Sequence, residues 1–246
     1  CKLSFIIPKS IICNSKNSIK EHIQLGFNKK KFCFIPNGFD TSQLKADKKK
    51  KLIFRKKNKI HNFMPIIGHV GRYSKMKDHD NLLNSLKILK LKNLKFICML
   101  VGPNIDKKNK SLIQKVKKNK LEKYVRLLGE TNDISSVMNG IDLCLLTSKD
   151  SEGFPNVLAE AMSCKTPCIS TNIGDASYIL GKTGWIVQKQ NPQKIANAIE
   201  EAIKEIKTQS FKKRANLSRE RIKKKFNINK MISSYVKLWN KVYQLR

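Results

Sequence analysis

Leu143-Cys144-Leu145-Leu146-Thr147-Ser148-Lys149-Asp150-Ser151-Glu152-Gly153-Phe154-Pro155-Asn156-Val157-Leu158-Ala159-Glu160-Ala161-Met162 reads as a strand, a loop and a helix in immediate succession. Residues 143–146 are apolar on both faces, the pattern of a strand covered from both sides. Gly153 permits a close backbone turn, and Pro155 suits the first turn of a helix over Asn156–Ser163. The same alternation extends outward from Pro65. Strands are expected at Ile66–Gly71, Leu94–Val101, Tyr124–Leu128, Pro167–Thr171 and Gly184–Val187. Helices are expected at Asn81–Leu91, Ser111–Lys118, Ile134–Met138 and Pro192–Ile206. Strand–helix alternation with short loops predicts an α/β fold, a Rossmann-like doubly wound parallel sheet over residues 65–225.

Upstream, Phe5–Ile7 reads as a short strand, Ser15–Leu25 as a helix and Lys31–Pro36 as a second extended run, with Asn37-Gly38 forcing a turn. Residues 41–64 are dense in lysine and lack clear periodicity, so they read as a linker with some helix. Downstream, Ile228–Tyr243 carries Met231, Ile232, Tyr235, Val236, Trp239 and Val242 at helical spacing, a stripe that wants a partner surface.

The composition of the 246 residues is ordinary in its 40% hydrophobic and 28% charged content. Its balance is not: 51 Lys+Arg against 18 Asp+Glu give a net charge of +33. Such a surface attracts nucleic acid phosphates or an anionic membrane. Lys, Asn and Ile are enriched together in helices and loops alike, which favours compositional drift with weak membrane attraction as a by-product. There is no arginine-rich arm, zinc-finger spacing or aromatic-interleaved basic stretch, so nucleic acid is not the expected partner. The seven cysteines are odd in number and form no CxxC pair, unlike a secreted disulfide framework. Cys98 and Cys144 fall in apolar runs, where a thiol acts as a small hydrophobe. No run approaches the roughly 20 apolar residues of a membrane span. A reduced, cytoplasmic setting follows, and the opening on Cys1-Lys2-Leu3 rather than Met suggests a piece of a longer chain.

Chemistry concentrates at two strand-to-helix junctions. In a doubly wound sheet these junctions lie on the carboxyl edge, where ligands bind. The helix opened by Pro155 presents free N–H groups and partial positive charge, which suits a diphosphate. Glu152 and Glu160 flank that end, and a carboxylate can accept from two vicinal hydroxyls at once. Taken alone, the two glutamates read better as a capping residue and a solvated helix position. The second junction, Val70-Gly71-Arg72-Tyr73-Ser74-Lys75-Met76-Lys77-Asp78-His79, brings Arg72 and Lys77 to the same edge as an anion site. The four histidines, at 22, 61, 69 and 79, are scattered and define no metal cluster. His79 reads as a solvated loop residue.

Pro36-Asn37-Gly38-Phe39-Asp40, Gly71-Arg72 with Lys77, Leu100-Val101-Gly102, Leu127-Leu128-Gly129, Glu152-Gly153-Phe154-Pro155-Asn156 with Glu160, Thr166-Pro167-Cys168 and Gly181-Lys182-Thr183-Gly184-Trp185 follow in order. Together they resemble the retaining glycosyltransferase family 4 of GT-B fold, in its capsule and O-antigen branch. The resemblance runs from about residue 4 to 240.

It implies a donor site in which Arg72 and Lys77 hold the diphosphate and stabilise the leaving nucleotide. It also implies that Glu152 contacts donor-sugar hydroxyls and that Glu160 binds the ribose. Gly71, Gly153, Phe154, Pro155, Asn156 and Leu158 would line the donor, and Leu128 and Gly129 would meet the base. The donor would be UDP- or GDP-linked, and no metal or other cofactor is expected. The expected activity is transfer of a hexose or N-acetylhexosamine to a lipid-linked or saccharide acceptor in lipopolysaccharide, O-antigen or capsule synthesis. The setting would be peripheral on the inner, cytoplasmic face of the plasma membrane.

By the same resemblance, residues 1–40 are the end of an acceptor domain, and 226–246 form a helix that crosses back onto it. The alternative is a nucleotide-sugar-binding fragment or pseudoenzyme, inactive without an acceptor domain; a basic nucleic-acid binder and a sugar-nucleotide 2-epimerase rank below both. Two positions depart from the family pattern. Lys165 stands where glycine is usual, and Asn172 where this branch often has aspartate.

Overall fold

A computed structural model describes residues 1–244. The chain begins with a 3-10 turn at Lys2–Phe5, followed by β1 (Ile11–Cys13), α1 (Lys16–Gln24) and β2 (Phe32–Phe34). β1 and β2 pair in parallel, Ile12 opposite Cys33. The strand expected at Phe5–Ile7 is not there: those residues lie in the turn and its exit, exposed. Pro8 has no N–H to give a ladder, and pairing starts beyond it. α2 (Lys48–Lys57) occupies the lysine-dense stretch, its first turn capped by the Asp47 side chain, which accepts from Lys50 N.

The main sheet follows: β3 (Ile66–Val70), α3 (His79–Leu91), β4 (Ile97–Val101), α4 (Lys110–Lys118), β5 (Val125–Gly129), α5 (Ile134–Gly140), β6 (Leu143–Leu146), α6 (Asn156–Ser163), β7 (Cys168–Thr171), α7 (Ala176–Leu180), β8 (Trp185–Val187) and α8 (Pro192–Glu205). Two further helices, α9 (Gln209–Lys225) and α10 (Ile228–Tyr243), close the described chain. The strand order is β5-β4-β3-β6-β7-β8, and every pairing is parallel. The chain moves outward from β3 to β5, then returns to place β6 beside β3. That reversal opens a crevice between the carboxyl ends of β3 and β6.

Strand pleating sends neighbours to opposite faces, so each strand feeds two cores. Ile66, Met99, Cys144 and Leu146 pack with Leu158, Met162, Ile222 and Phe226 on one face. Ile67, Cys98, Leu100, Leu143 and Leu145 pack with Leu82, Leu86, Leu112, Ile195 and Ile199 on the other. The two cysteines are fully buried, as their apolar runs imply.

α9 escapes the periodicity reading because only Phe211, Ser218 and Ile222 of its residues are buried. Arginines secure it instead. Arg219 donates to the carbonyls of Thr41, Leu44 and Ser163, and Arg221 to those of Tyr178 and Ile179. On α10, Met231 packs over Gly38, while Ile232, Val236 and Trp239 stay exposed.

α2 is tied to the sheet by a buried charge. Arg55, 2% exposed, donates to Asp142 Oδ2 at 2.5 Å and to the carbonyls of His61, Asn62 and Met64. Asp142 also accepts from Ile66 N and Lys51 Nζ, so the stretch read as a linker shares this carboxylate with the first residue of β3. Removing one partner leaves the other charge uncompensated in the interior. Asp142→Ala is therefore expected to cost about 3–5 kcal/mol, read as a lower urea midpoint with an unchanged slope. A midpoint equal to the wild type's would mean the pair contributes nothing net.

Candidate functional site

The crevice is bordered by the loops that follow β3 and β6. After β3 the chain passes Gly71, makes a 3-10 turn at Lys75–Lys77 and enters α3 through Asp78. Asp78 is left-handed (φ 49°), and its side chain caps α3 by accepting from Asn81 N. Lys77 folds back over Gly71, where a Cβ would stand 3.2 Å from Lys77 Cε. Its ammonium donates to Glu152 Oε1 at 2.5 Å, and Ser148 Oγ donates to the same oxygen at 2.7 Å. Lys149 N donates to Met76 O, a backbone tie between the two loops.

Glu152 is held from behind by the β7–α7 loop. Gly174 is left-handed (φ 50°) and so close to the Glu152 carbonyl that any Cβ would collide with it. Asp175 N donates to Gly153 O. The buried Asp175 carboxylate accepts from Lys16 N at 2.7 Å and Asn17 N at 2.9 Å, the first amides of α1. The glutamate loop thus joins the first unit of the chain to the main sheet.

α6 begins at Asn156 with Pro155 as its cap, and among the described residues no side chain satisfies its first N–H groups. That open end carries partial positive charge. Asn156 Oδ1 accepts from Asn37 Nδ2 at 2.7 Å, and Asn37 Oδ1 accepts from Asn14 Nδ2 at 3.1 Å. The Phe154 ring is buried between Phe39 and Phe226, and Leu158 is wholly in the core. Both side chains therefore support the loop and helix; neither faces the crevice. Glu160 is half-buried and has no hydrogen-bond partner for its carboxylate among the described residues. Burial raises its pKa above the ordinary carboxylate value.

The remaining expected residues are spread along the same edge. Arg72 is exposed and its guanidinium is uncommitted among the described residues. Gly129 ends β5 with both backbone groups in use, its N–H on Ile105 O and its carbonyl accepting from Gly102 N. Leu128 borders a cleft of about 690 Å³ that it shares with Lys107, Glu130 and Thr131. Among the described residues no group of three or more His, Cys, Asp or Glu could hold a metal ion.

One expectation is overturned. His79 is 3% exposed, against the rings of His69 and Tyr73, and burial lowers its pKa to about 4. As the first residue of α3 it turns inward from the loop, which single-residue context does not reveal. Sequence reading also passed over Thr147, Ser148 and Asp175. Ser148 was visible only as the residue four before Glu152, and Asp175 only as an acid following Gly174. Lys165 adopts φ 61° just past α6, a left-handed conformation that a glycine would take at no steric cost.

The profile of the family described as "Glycosyl transferases group 1" matches residues 50–241. The N-acetyl-alpha-D-glucosaminyl L-malate synthase of Bacillus anthracis is 27% identical over 174 residues, covering 69% of this chain and 44% of that protein. The capsular polysaccharide biosynthesis glycosyltransferase CapM of Staphylococcus aureus is 29% identical, covering 68% and 43%. The Anabaena protein HepE, crystallised with UDP-glucose, superposes with a TM-score of 0.89 at 25% identity, covering 98% of this chain and 66% of its own. The chain thus spans less than half the length of the two curated relatives.

Glu160 yields a pH prediction. Its raised pKa means the folded chain binds that proton more readily than the unfolded chain. Stability therefore falls as pH rises from the unfolded value, about 4.3, through the folded one, and the cost is complete above it. Glu160→Gln is neutral at every pH. It is expected to raise the melting temperature at pH 7 by roughly 1–4 °C and to lose that advantage below about pH 4. An equal effect at both pH values would remove the carboxylate's burial as the cause.

Proposed function

This chain belongs to the group 1 glycosyl transferases, and we propose that the crevice between β3 and β6 holds the nucleotide-diphosphate sugar from which they transfer. The observation that carries this reading is the meeting of Lys77 and Glu152 at 2.5 Å beside the uncapped end of α6. A cation, a carboxylate and free helix amides converge where the strand order reverses, the place a doubly wound sheet offers a ligand.

Each group has a role in the proposal. Lys77 exchanges Glu152 for a diphosphate oxygen, and exposed Arg72 adds a planar fork to the same anion. Glu152, released from Lys77, accepts from hydroxyls of the donor sugar. Glu160, without a hydrogen-bond partner among the described residues, accepts from the ribose hydroxyls. The base lies toward Leu128 and the cleft beside it. As the sugar departs, Arg72, Lys77 and the α6 amides stabilise the charge that develops on the diphosphate. In this scheme the protein's own cations supply the neutralising charge, with no resident metal.

The finer assignment draws on the motif resemblance and on the relatives. It is a retaining, family 4 hexosyl or N-acetylhexosaminyl transfer from a UDP- or GDP-linked donor. The acceptor is lipid-linked or saccharide, and the product is a bacterial surface polysaccharide such as capsule, O-antigen or lipopolysaccharide. CapM is a capsular enzyme by its description, and HepE was crystallised with UDP-glucose. A net charge of +33 suits work at the inner, anionic face of the plasma membrane.

Calorimetric titration with UDP, GDP and their sugar conjugates tests the site. One base is expected to bind saturably, with affinity unchanged by EDTA. Arg72→Ala and Glu160→Ala are each expected to weaken it about 5- to 50-fold, the loss of a charge-assisted or hydroxyl contact worth about 1–2.5 kcal/mol. A folded chain that binds none of these nucleotides would refute the donor reading.

A further inference from the structure

Beneath the loop that carries Lys77 lies a buried polar group outside the scheme above. Thr147, the residue after β6, and His69, in β3, are both 0% exposed. Thr147 Oγ1 is 2.8 Å from Lys77 O, 3.4 Å from Asp78 O and 3.2 Å from His69 Nε2.

A hydroxyl has one proton to donate and lone pairs to accept with, whereas a carbonyl only accepts. Lys77 O, at 2.8 Å, is the nearest acceptor, ahead of His69 Nε2 at 3.2 Å and Asp78 O at 3.4 Å, and the Thr147 proton goes there. The ring nitrogen must then supply the hydrogen on its side, which makes His69 an Nε2–H donor to Thr147. His69 Nδ1 has no hydrogen-bond partner among the described residues. In this tautomer it is a bare acceptor, where the other tautomer would bury an N–H there without a partner and could keep the bond to Thr147 only by taking the hydroxyl proton away from Lys77 O. Burial, with His79 and Lys77 nearby, holds His69 neutral at ordinary pH.

This bond falls where the loop is under strain. Asp78, next to Lys77, is a non-glycine residue in the left-handed region, a conformation that persists only when its surroundings impose it. The Lys77 carbonyl is in the peptide between the two. Fixing it sets the direction in which the Lys77 side chain leaves the backbone to cross Gly71 and reach Glu152. Threonine is suited to this because its branched Cβ restricts χ1 and keeps the hydroxyl on one heading.

We propose that Thr147, oriented by an Nε2–H His69, is a positioning residue that fixes the Lys77 peptide and so aims the Lys77 ammonium into the anion site. The identity of that anion as a nucleotide diphosphate rests on the donor reading given above; the positioning itself does not. Thr147 touches no substrate and acts only through Lys77.

Four variants test it: Thr147→Val removes the hydroxyl at near-constant shape, Thr147→Ser keeps it, His69→Gln keeps a donor at a similar reach, and His69→Phe removes it. Each is titrated with the preferred nucleoside diphosphate and with the matching nucleoside. Nitrogen-15 NMR reads the His69 tautomer and the Lys77 ammonium signal. Thr147→Val and His69→Phe are expected to weaken diphosphate binding about 3- to 10-fold, the scale of one hydrogen bond, with nucleoside binding unchanged. Thr147→Ser and His69→Gln should recover most of that loss. Wild-type diphosphate affinity in a folded Thr147→Val protein would overturn the proposal, and so would an equal loss for diphosphate and nucleoside. If the wild type binds no nucleoside diphosphate, the donor reading fails, and NMR alone decides the positioning. An Nε2–H His69, with a Lys77 signal that moves in Thr147→Val, supports it. An Nδ1–H tautomer or an unmoved Lys77 signal sinks it.

Discussion

Lys77 and Glu152 face each other across the gap between β3 and β6, and nearly everything around them is arranged to keep them there. Neither is deeply buried, with side chains 16% and 14% exposed, so the pair has lost most of its water without being sealed off. Taking charges that far from solvent is costly unless their geometry is held. Glu152 has Ser148 on the same oxygen and Gly174 pressed against its carbonyl. Lys77 has Gly71 beneath its side chain and Thr147 on its carbonyl. In the proposed donor site an entering anion would meet a cation already desolvated and aimed, which would lower the reorganisation that binding requires.

The excess of positive charge does not locate this site. Most of the 51 Lys and Arg residues lie on solvated faces, and the ones that organise the structure are few. Arg55 sits in the interior on Asp142, and Arg219 and Arg221 gather carbonyls from segments far away in the chain. Each of these arginines spends several donors at once, something its planar fork allows and a lysine ammonium does less well. What distinguishes Lys77 and Arg72 from the surrounding lysines is topology. They follow the strand at which the sheet reverses its order.

Much of this was legible in the chain. The strands β4 and β6 announce themselves as runs apolar on both faces, because a strand between two helix layers has no solvated side. α6 and α10 begin and end where caps and periodicity place them. Other elements lack such signals. α9 presents a nearly continuous polar surface, since arginine hydrogen bonds replace an apolar stripe. Phe5–Ile7 has strand composition but no strand, because extended backbone needs a neighbour to pair with. α2 looked like part of a linker because only Phe54 and Arg55 of it are buried, and its ties to Asp142 come from Arg55 and Lys51, two basic residues in a lysine-dense run.

The candidate site divides in the same way. The sequence by itself determined the doubly wound architecture, the two loops at its carboxyl edge, and the residue types there: Arg72 and Lys77, Glu152 and Glu160, and the helix opened by Pro155. Local periodicity and turn chemistry suffice for that, because they depend on neighbours along the chain. Only the tertiary structure decided that Lys77 meets Glu152, and that Glu160 stands without a hydrogen-bond partner among the described residues. The same holds for His79 turning inward toward His69, for Thr147 reaching the Lys77 carbonyl and for Asp175 capping α1 from the far side of the glutamate loop. Those relations join residues tens of positions apart, and burial and hydrogen-bond geometry exist only once the strands have been brought side by side.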